Sequence, residues 1–195
     1  LGRQQAFSES THVADTFPSA CALGHDGELT AIYLLAGRSG AVHIENPRQQ
    51  SAYKYPRQYG PASPSFARAS LTHWSDCSHL YISGTASILG HESHHPNDLQ
   101  GQLQTTFDNI DALLAQSASE AGIAEPPQLS LLKIYIRNPA DYQAVEEKVR
   151  WRFPGTPVLF VQADICRREL LVEIDGLCNL GSLVAVGAET QSGGV

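Results

Sequence analysis

Glu173 stands in an apolar run, where strand alternation puts Leu171, Glu173 and Asp175 on one face and Leu170, Val172 and Ile174 on the other. A carboxyl held among apolar neighbours loses hydration. That loss favours the neutral acid, which can donate a proton near neutral pH. Glu173 is therefore the candidate general acid, although a solvated strand face or a structural ion pair would use the same residue type. Across residues 133–137, Lys133, Tyr135 and Arg137 share one face while Ile134 and Ile136 take the other.

With Lys54, Lys133 and Lys148 as the lysines, ten of the 13 cations are arginines. Arginine grips a carboxylate through two parallel N–H bonds, whereas lysine acts as a point charge. Arg57, Arg68 and Arg137 lie beside aromatics or in turn-rich segments, where they either clamp a small anion or keep the surface soluble. Cys166 precedes Arg167 and Arg168, cations that lower a thiol pKa and suit a nucleophile. It has no histidine nearby in sequence, and a small core or pocket-lining thiol is the other reading. His91-Glu92-Ser93-His94-His95 spells the H-E-x-x-H zinc pattern. That pattern needs a helix to align its histidines. Gly90 before it and Pro96 after it predict a loop, so no metal site is expected. No nucleophile elbow, phosphate loop or dinucleotide fingerprint occurs, and no cofactor is expected.

Residues 28–36 predict a buried strand, 37–40 a turn, and 42–44 a short second strand. Between 46 and 64, Pro47, Pro56, Pro61, Pro64 and Gly60 stand among Tyr53, Tyr55 and Tyr59. Such a stretch is a linker or an ordered loop, because each proline removes a donor and restricts its predecessor. Residues 71–74 and 80–88 predict a hairpin bending at Asp76-Cys77-Ser78. Leu99, Leu103, Phe107, Ile110, Leu113 and Leu114 recur with helical spacing, and Gly122 supplies a stop. Residues 129–137 predict a strand, and Asn138-Pro139 opens a second helix with Tyr142, Val145 and Val149 on one face. Residues 156–165 and 169–177 complete the pattern. The order β-β-α-β-α-β-β gives an α/β (α+β) domain with both helices packed on one sheet.

A chain of 195 residues suits one domain, or one domain and part of another. A net charge of -7 without a Lys/Arg block argues against nucleic-acid binding. The apolar runs fall short of the roughly 18 residues that span a bilayer, so no membrane association is expected. Cys21, Cys77, Cys166 and Cys178 show no C-x-x-C spacing, and Leu1 opens no signal peptide; reduced thiols in a cytoplasm are expected. The chain has no methionine, which suggests a processed or truncated product of a longer one.

Ile82-Ser83-Gly84-Thr85-Ala86-Ser87-Ile88, Tyr135-Ile136-Arg137-Asn138-Pro139 and Leu171-Val172-Glu173-Ile174-Asp175 together resemble the RidA/YjgF superfamily. More narrowly, Glu45-Asn46-Pro47-Arg48-Gln49, Tyr55-Pro56-Arg57-Gln58-Tyr59-Gly60-Pro61, Pro64-Ser65-Phe66-Ala67-Arg68-Ala69, the 84–93 segment and Asp164-Ile165-Cys166-Arg167 are similar to the chorismatase family. The resemblance covers nearly all of residues 1–178. It implies a RidA/YjgF-like (chorismate mutase-like) domain at 66–180, with a mixed sheet and two helices packed on one face. Residues 1–65 would then be the C-terminal part of a preceding related domain with its connecting loop, and 181–195 a flexible tail.

The same resemblance implies cleavage of the enolpyruvyl ether of chorismate to pyruvate and 3-hydroxybenzoate, alone or with 4-hydroxybenzoate. Glu173 matches the family's proton donor, and Cys166, seven residues earlier, falls where the hydroxybenzoate-forming subgroup is similar. Arg57, Tyr59, Arg68, Ala86, Tyr135 and Arg137 are assigned to substrate binding. Ala86 marks a turn at which subgroups differ. The alternative is an imine or enamine deaminase, or a ligand-binding protein without catalysis. The deaminase branch carries an arginine on the strand before the acid, and residues 158–162 have none. RidA relatives are typically trimers, while the added portion of a chorismatase can replace a neighbour, leaving trimer and monomer both open.

Overall fold

The computed structural model describes residues 17–28 and 30–181. Its main sheet has six strands: β1 (Ala41–Ile44), β2 (Ala69–His73), β3 (Ser78–Thr85), β6 (Leu131–Ile136), β7 (Val158–Gln162) and β8 (Val172–Asn179). Their spatial order is β1-β2-β3-β8-β6-β7, and every pair is antiparallel except β6 with β7. The parallel pair is joined by a helix, as a crossover between parallel strands requires. A separate hairpin, β4 (Ile88–Leu89) with β5 (Glu92–Ser93), leads into the first helix.

Helix α1 (Leu99–Ala121) begins where the Asp98 carboxylate accepts from the Gly101 N–H. It ends at Gly122, whose φ of 66° is the left-handed conformation that glycine adopts without strain. The expected second helix splits into a 3-10 turn at Pro139–Asp141 and helix α2 (Tyr142–Arg152). Leu103, Phe107, Ile110 and Leu113 of α1 and Val145 and Val149 of α2 bury against Leu71, Leu80, Leu132, Ile134, Val172 and Ile174 of the sheet. Both helices thus close one face of a mixed sheet, as expected.

One expectation needs amendment, and one open alternative is decided. Residues 28–36 are not a buried strand: the described part forms none, and Ile32 and Leu34 are 76% and 91% exposed. An apolar run pairs only where a free edge or apolar face meets it, and among the described residues none does. The proline-rich 46–64 stretch is an ordered loop rather than a linker, built on 3-10 turns at Ala52–Lys54 and Arg57–Tyr59. Asn46 donates to the Asn109 carbonyl, and the Gln50 N–H donates to the Gly90 carbonyl, tying this loop to α1 and to the small hairpin. β1 precedes residue 66 yet pairs with β2, so residues 41–44 belong to the same sheet. Beyond Gly181 the expected tail lies outside the described residues.

The sheet's other face is polar and is crossed by residues 17–24. The Ser19 and Ala20 N–H groups donate to the hydroxyls of Ser70 and Ser83, at 2.8 and 2.9 Å. Gly24 then exchanges backbone bonds with Asp164.

Candidate active site

Register places Glu173 opposite Tyr135 and Asp175 opposite Lys133 on adjacent antiparallel strands, all four on the face away from the helices. Glu173 is only 5% exposed. Burial pushes its carboxyl up to about 7; the Cys21 thiol opposes that rise, the Asp175 charge adds to it, and the Arg68 cation opposes it. The carboxyl therefore exists as both acid and carboxylate at neutral pH. Cys21 Sγ lies 3.3 Å from Glu173 Oε1. Oε2 takes no hydrogen bond among the described residues. Gly84 makes this packing possible, since a Cβ there would fall 2.0 Å from Oε1.

Asp175 is held differently. Its Oδ2 accepts from the Tyr135 hydroxyl at 2.7 Å and pairs with Lys133 Nζ at 2.8 Å, while Lys133 also reaches the Tyr135 oxygen at 3.1 Å. Tyr135 is thereby committed as a donor, and burial followed by the Asp175 contact drives its own pKa well up. Of two buried carboxylates on one strand face, Asp175 is held by a cation and a hydroxyl, while Glu173 has only the Cys21 thiol among the described residues.

A cluster of arginines and tyrosines includes Arg68, whose charge acts on Glu173. Arg167 stacks on the Tyr59 ring at 3.8 Å, near Tyr55 at 5.3 Å, and its Nη1 donates to the His91 carbonyl and Ser93 hydroxyl. Its Nη2 is buried without a partner among the described residues. Arg68 donates to the Tyr55 hydroxyl at 2.6 Å and the Gln50 carbonyl at 2.9 Å, leaving a buried Nε unpartnered among the described residues. Two buried guanidinium donors without acceptors flank the tyrosines, as an incoming anion would need.

The remaining expected residues scatter. Tyr59 is in the cluster, its hydroxyl 3.2 Å from His91 Nδ1. Arg57 is exposed, and no side-chain contact ties it to Glu173. Ala86 is buried with Ile88, Ile165 and Leu170 in a small apolar cluster. The Arg137 guanidinium binds the carbonyls of Leu170, Ile165 and Arg167 and the Asp164 carboxylate. It anchors the loop that carries Cys166 and Arg167. Arg137 also lines a polar hollow of about 170 Å³ with His25, Asp26, Gln162, Ala163 and Asp164, a lining that excludes Glu173. Cys166 departs from an activated nucleophile: although the residue is exposed, desolvation around its sulfur and then the Glu173 charge raise its pKa, with Arg167 only partly offsetting them. The H-E-x-x-H segment occupies β5 and flanking turns, and His95 has φ 57°, so its histidines do not share a helix face. Cys21 and Gly84 went unrecognised as site residues from sequence. The thiol lies 152 positions from its partner, and no motif marks it.

No family model matches the chain. A 3-hydroxybenzoate synthase of Streptomyces hygroscopicus is 41% identical over 186 residues, covering 90% of this chain and 55% of that protein. A chorismatase of the same organism is 36% identical over 183 residues, covering 91% of this chain and 53% of that protein. A chorismatase crystal structure superposes with a TM-score of 0.79 at 32% identity, covering 91% of this chain and 55% of that one. A Rid-family protein of unknown function from Yersinia pestis, 23% identical with a TM-score of 0.54, matches 72% of this chain and its own full length. The chain thus spans about half the length of the curated relatives it matches.

Proposed function

Because the chain belongs to the chorismatase family over the half of those proteins that it spans, we propose that it cleaves chorismate to pyruvate and 3-hydroxybenzoate. The observation that carries this reading is Glu173: a desolvated carboxyl, neutral in part near pH 7, with one oxygen that takes no hydrogen bond among the described residues. An enol ether reacts by accepting a proton on its terminal methylene carbon, and only a neutral acid can supply it. Protonation converts the ether into an oxocarbenium ion. The ring hydroxyl then closes onto the ether-bearing carbon and expels pyruvate, leaving an arene oxide that opens to the hydroxybenzoate. The hydroxyl proton returns to Glu173. No water is consumed, whereas the dihydroxycyclohexadiene product of other family members needs one.

Chorismate brings two carboxylates. Arg167 and Arg68, with their unpartnered nitrogens and the Tyr55 and Tyr59 rings, are our assignment for one of them. Tyr135 serves through Asp175, and Arg137 serves by holding the 163–170 loop. Cys166 acts as a neutral thiol beside the acid, shaping the pocket on the ring side; 4-hydroxybenzoate as a second product is compatible with that role. Residues 1–65 are read as the end of a preceding related domain with its connecting loop, of which residues 41–44 add the edge strand β1 to the main sheet. Four free cysteines support a reducing compartment, the cytoplasm.

The test is incubation of the intact protein with chorismate, following pyruvate by a coupled assay and the aromatic acids by chromatography. Pyruvate and 3-hydroxybenzoate in equal amounts are expected, and Glu173→Gln is expected to slow the release of both by roughly 10²–10⁴-fold. Absence of pyruvate, or an unaffected variant, overturns the proposal. Imine deamination finds less support, because β7 carries no cation to hold an amino-acid carboxylate.

A further inference from the structure

Resting on the reading of Glu173 as the acid, we propose that Cys21 is a positioning residue that selects which oxygen of Glu173 delivers the proton. Its thiol, 3.3 Å from Oε1, is the hydrogen-bond donor to the carboxyl among the described residues. An S–H that donates to Oε1 makes that atom the carbonyl oxygen of the acid and leaves the proton on Oε2. Gly84 presses on the same oxygen: a Cβ there would lie 2.0 Å from Oε1 and 2.9 Å from Cys21 Sγ. Oε1 is thus boxed by a thiol and a strand backbone. Oε2, on a side chain that is 5% exposed, has no partner among the described residues and is the oxygen left for a ligand.

The thiol is suited to this task because it stays protonated. Although the residue as a whole is exposed, desolvation of its sulfur against Glu173, then the charges of Glu173 and Asp175, push the Cys21 pKa far up, so it donates in both states of the acid. The bond to the carboxylate is the stronger one, so the thiol also checks the rise that burial imposes on Glu173. The segment that presents Cys21 is fixed by the Ser70 and Ser83 hydroxyls on its two preceding residues and by Asp164 three residues on.

The experiment compares wild type, Cys21→Ser and Cys21→Ala in the intact protein. Infrared difference spectra against Glu173→Gln give the titration midpoint of Glu173 without substrate. In Cys21→Ala the midpoint is expected to rise by about one pH unit, and in Cys21→Ser to stay near wild type. With chorismate, Cys21→Ala is expected to lower kcat about tenfold with KM nearly unchanged, and Cys21→Ser to recover most of it. An unmoved midpoint in Cys21→Ala, or Ser and Ala variants that behave alike, overturns the proposal. If the wild type releases no pyruvate, the functional reading fails, while the substrate-free titration still decides the role of Cys21.

Discussion

The two faces of strand β8 differ by a one-residue step and behave as different materials. Val172 and Ile174 enter a dry core with α1 and with Leu132 and Ile134 of β6, all fully buried. Glu173 and Asp175, between and beyond them, face Tyr135, Lys133 and Cys21 under a strap of backbone. The first face is closed by side chains that satisfy each other by shape alone. The second is closed while holding a carboxyl that would rather be hydrated, so it stores unfavourable energy where the first releases it.

The sharpest way to break this contrast is to change adjacent residues. Glu173→Gln keeps the volume and removes the acid, so kcat for pyruvate release is expected to fall by roughly 10²–10⁴-fold, the usual contribution of a general acid, with the fold intact by circular dichroism. Ile174→Ala empties a fully buried site and is expected to cost about 2–5 kcal/mol in denaturant unfolding, while the folded fraction keeps near-normal kcat. If Ile174→Ala abolishes turnover at full folding, the two faces are not separable. Gly84→Ala tests the polar face from beneath: the added methyl must displace Oε1, and a kcat loss of about 100-fold is expected, with a smaller change in stability than at Ile174.

The apolar face was legible in sequence because its period was unbroken. Leu103, Phe107, Ile110 and Leu113, with Val145 and Val149, name the helix stripes, and alternation in 131–136 and 172–179 names the strand faces. The same alternation put Glu173 with Asp175 and Lys133 with Tyr135, so half of the polar site could be read as well. Its cover could not. Cys21 reaches Glu173 from an irregular segment with no period, held by side-chain hydroxyls that any strand could carry. Residues 28–36 show the converse failure: an apolar run says that a segment can pair, not that a partner is present.

Stored energy on the polar face has a pH signature of known sign. Glu173 titrates at about 7 in the fold against an ordinary value of 4.5, so the folded state binds more protons between these values. Stability from this group is therefore fully present below pH 4.5 and is lost as pH rises to about 7, on the order of 3 kcal/mol. Thermal unfolding of Glu173→Gln against wild type isolates it: the variant is expected to gain stability relative to wild type from pH 5 to pH 7.5. A difference that is flat with pH would mean that the carboxyl is not desolvated.

The smallest expected effect separates two arginines only 30 positions apart. All three side-chain nitrogens of Arg137 are bound to the protein, to three carbonyls and one carboxylate, so Arg137→Ala is expected to lower stability and to disorder the loop that bears Cys166. Arg167 instead sits over the Tyr59 ring, its guanidinium carbon 3.8 Å from the centroid, and keeps Nη2 unpartnered among the described residues. Truncating it removes that donor together with the Nη1 bonds to the His91 carbonyl and Ser93 hydroxyl: Arg167→Ala is expected to raise KM for chorismate about tenfold, with kcat near wild type and a smaller loss of stability than Arg137→Ala. Arg167→Lys should recover little, because an ammonium neither stacks on the ring nor offers a planar fork to a carboxylate. Steady-state kinetics beside a denaturant curve for each variant decides the matter. A KM effect at Arg137 with none at Arg167 would move the anion site to the other end of the loop.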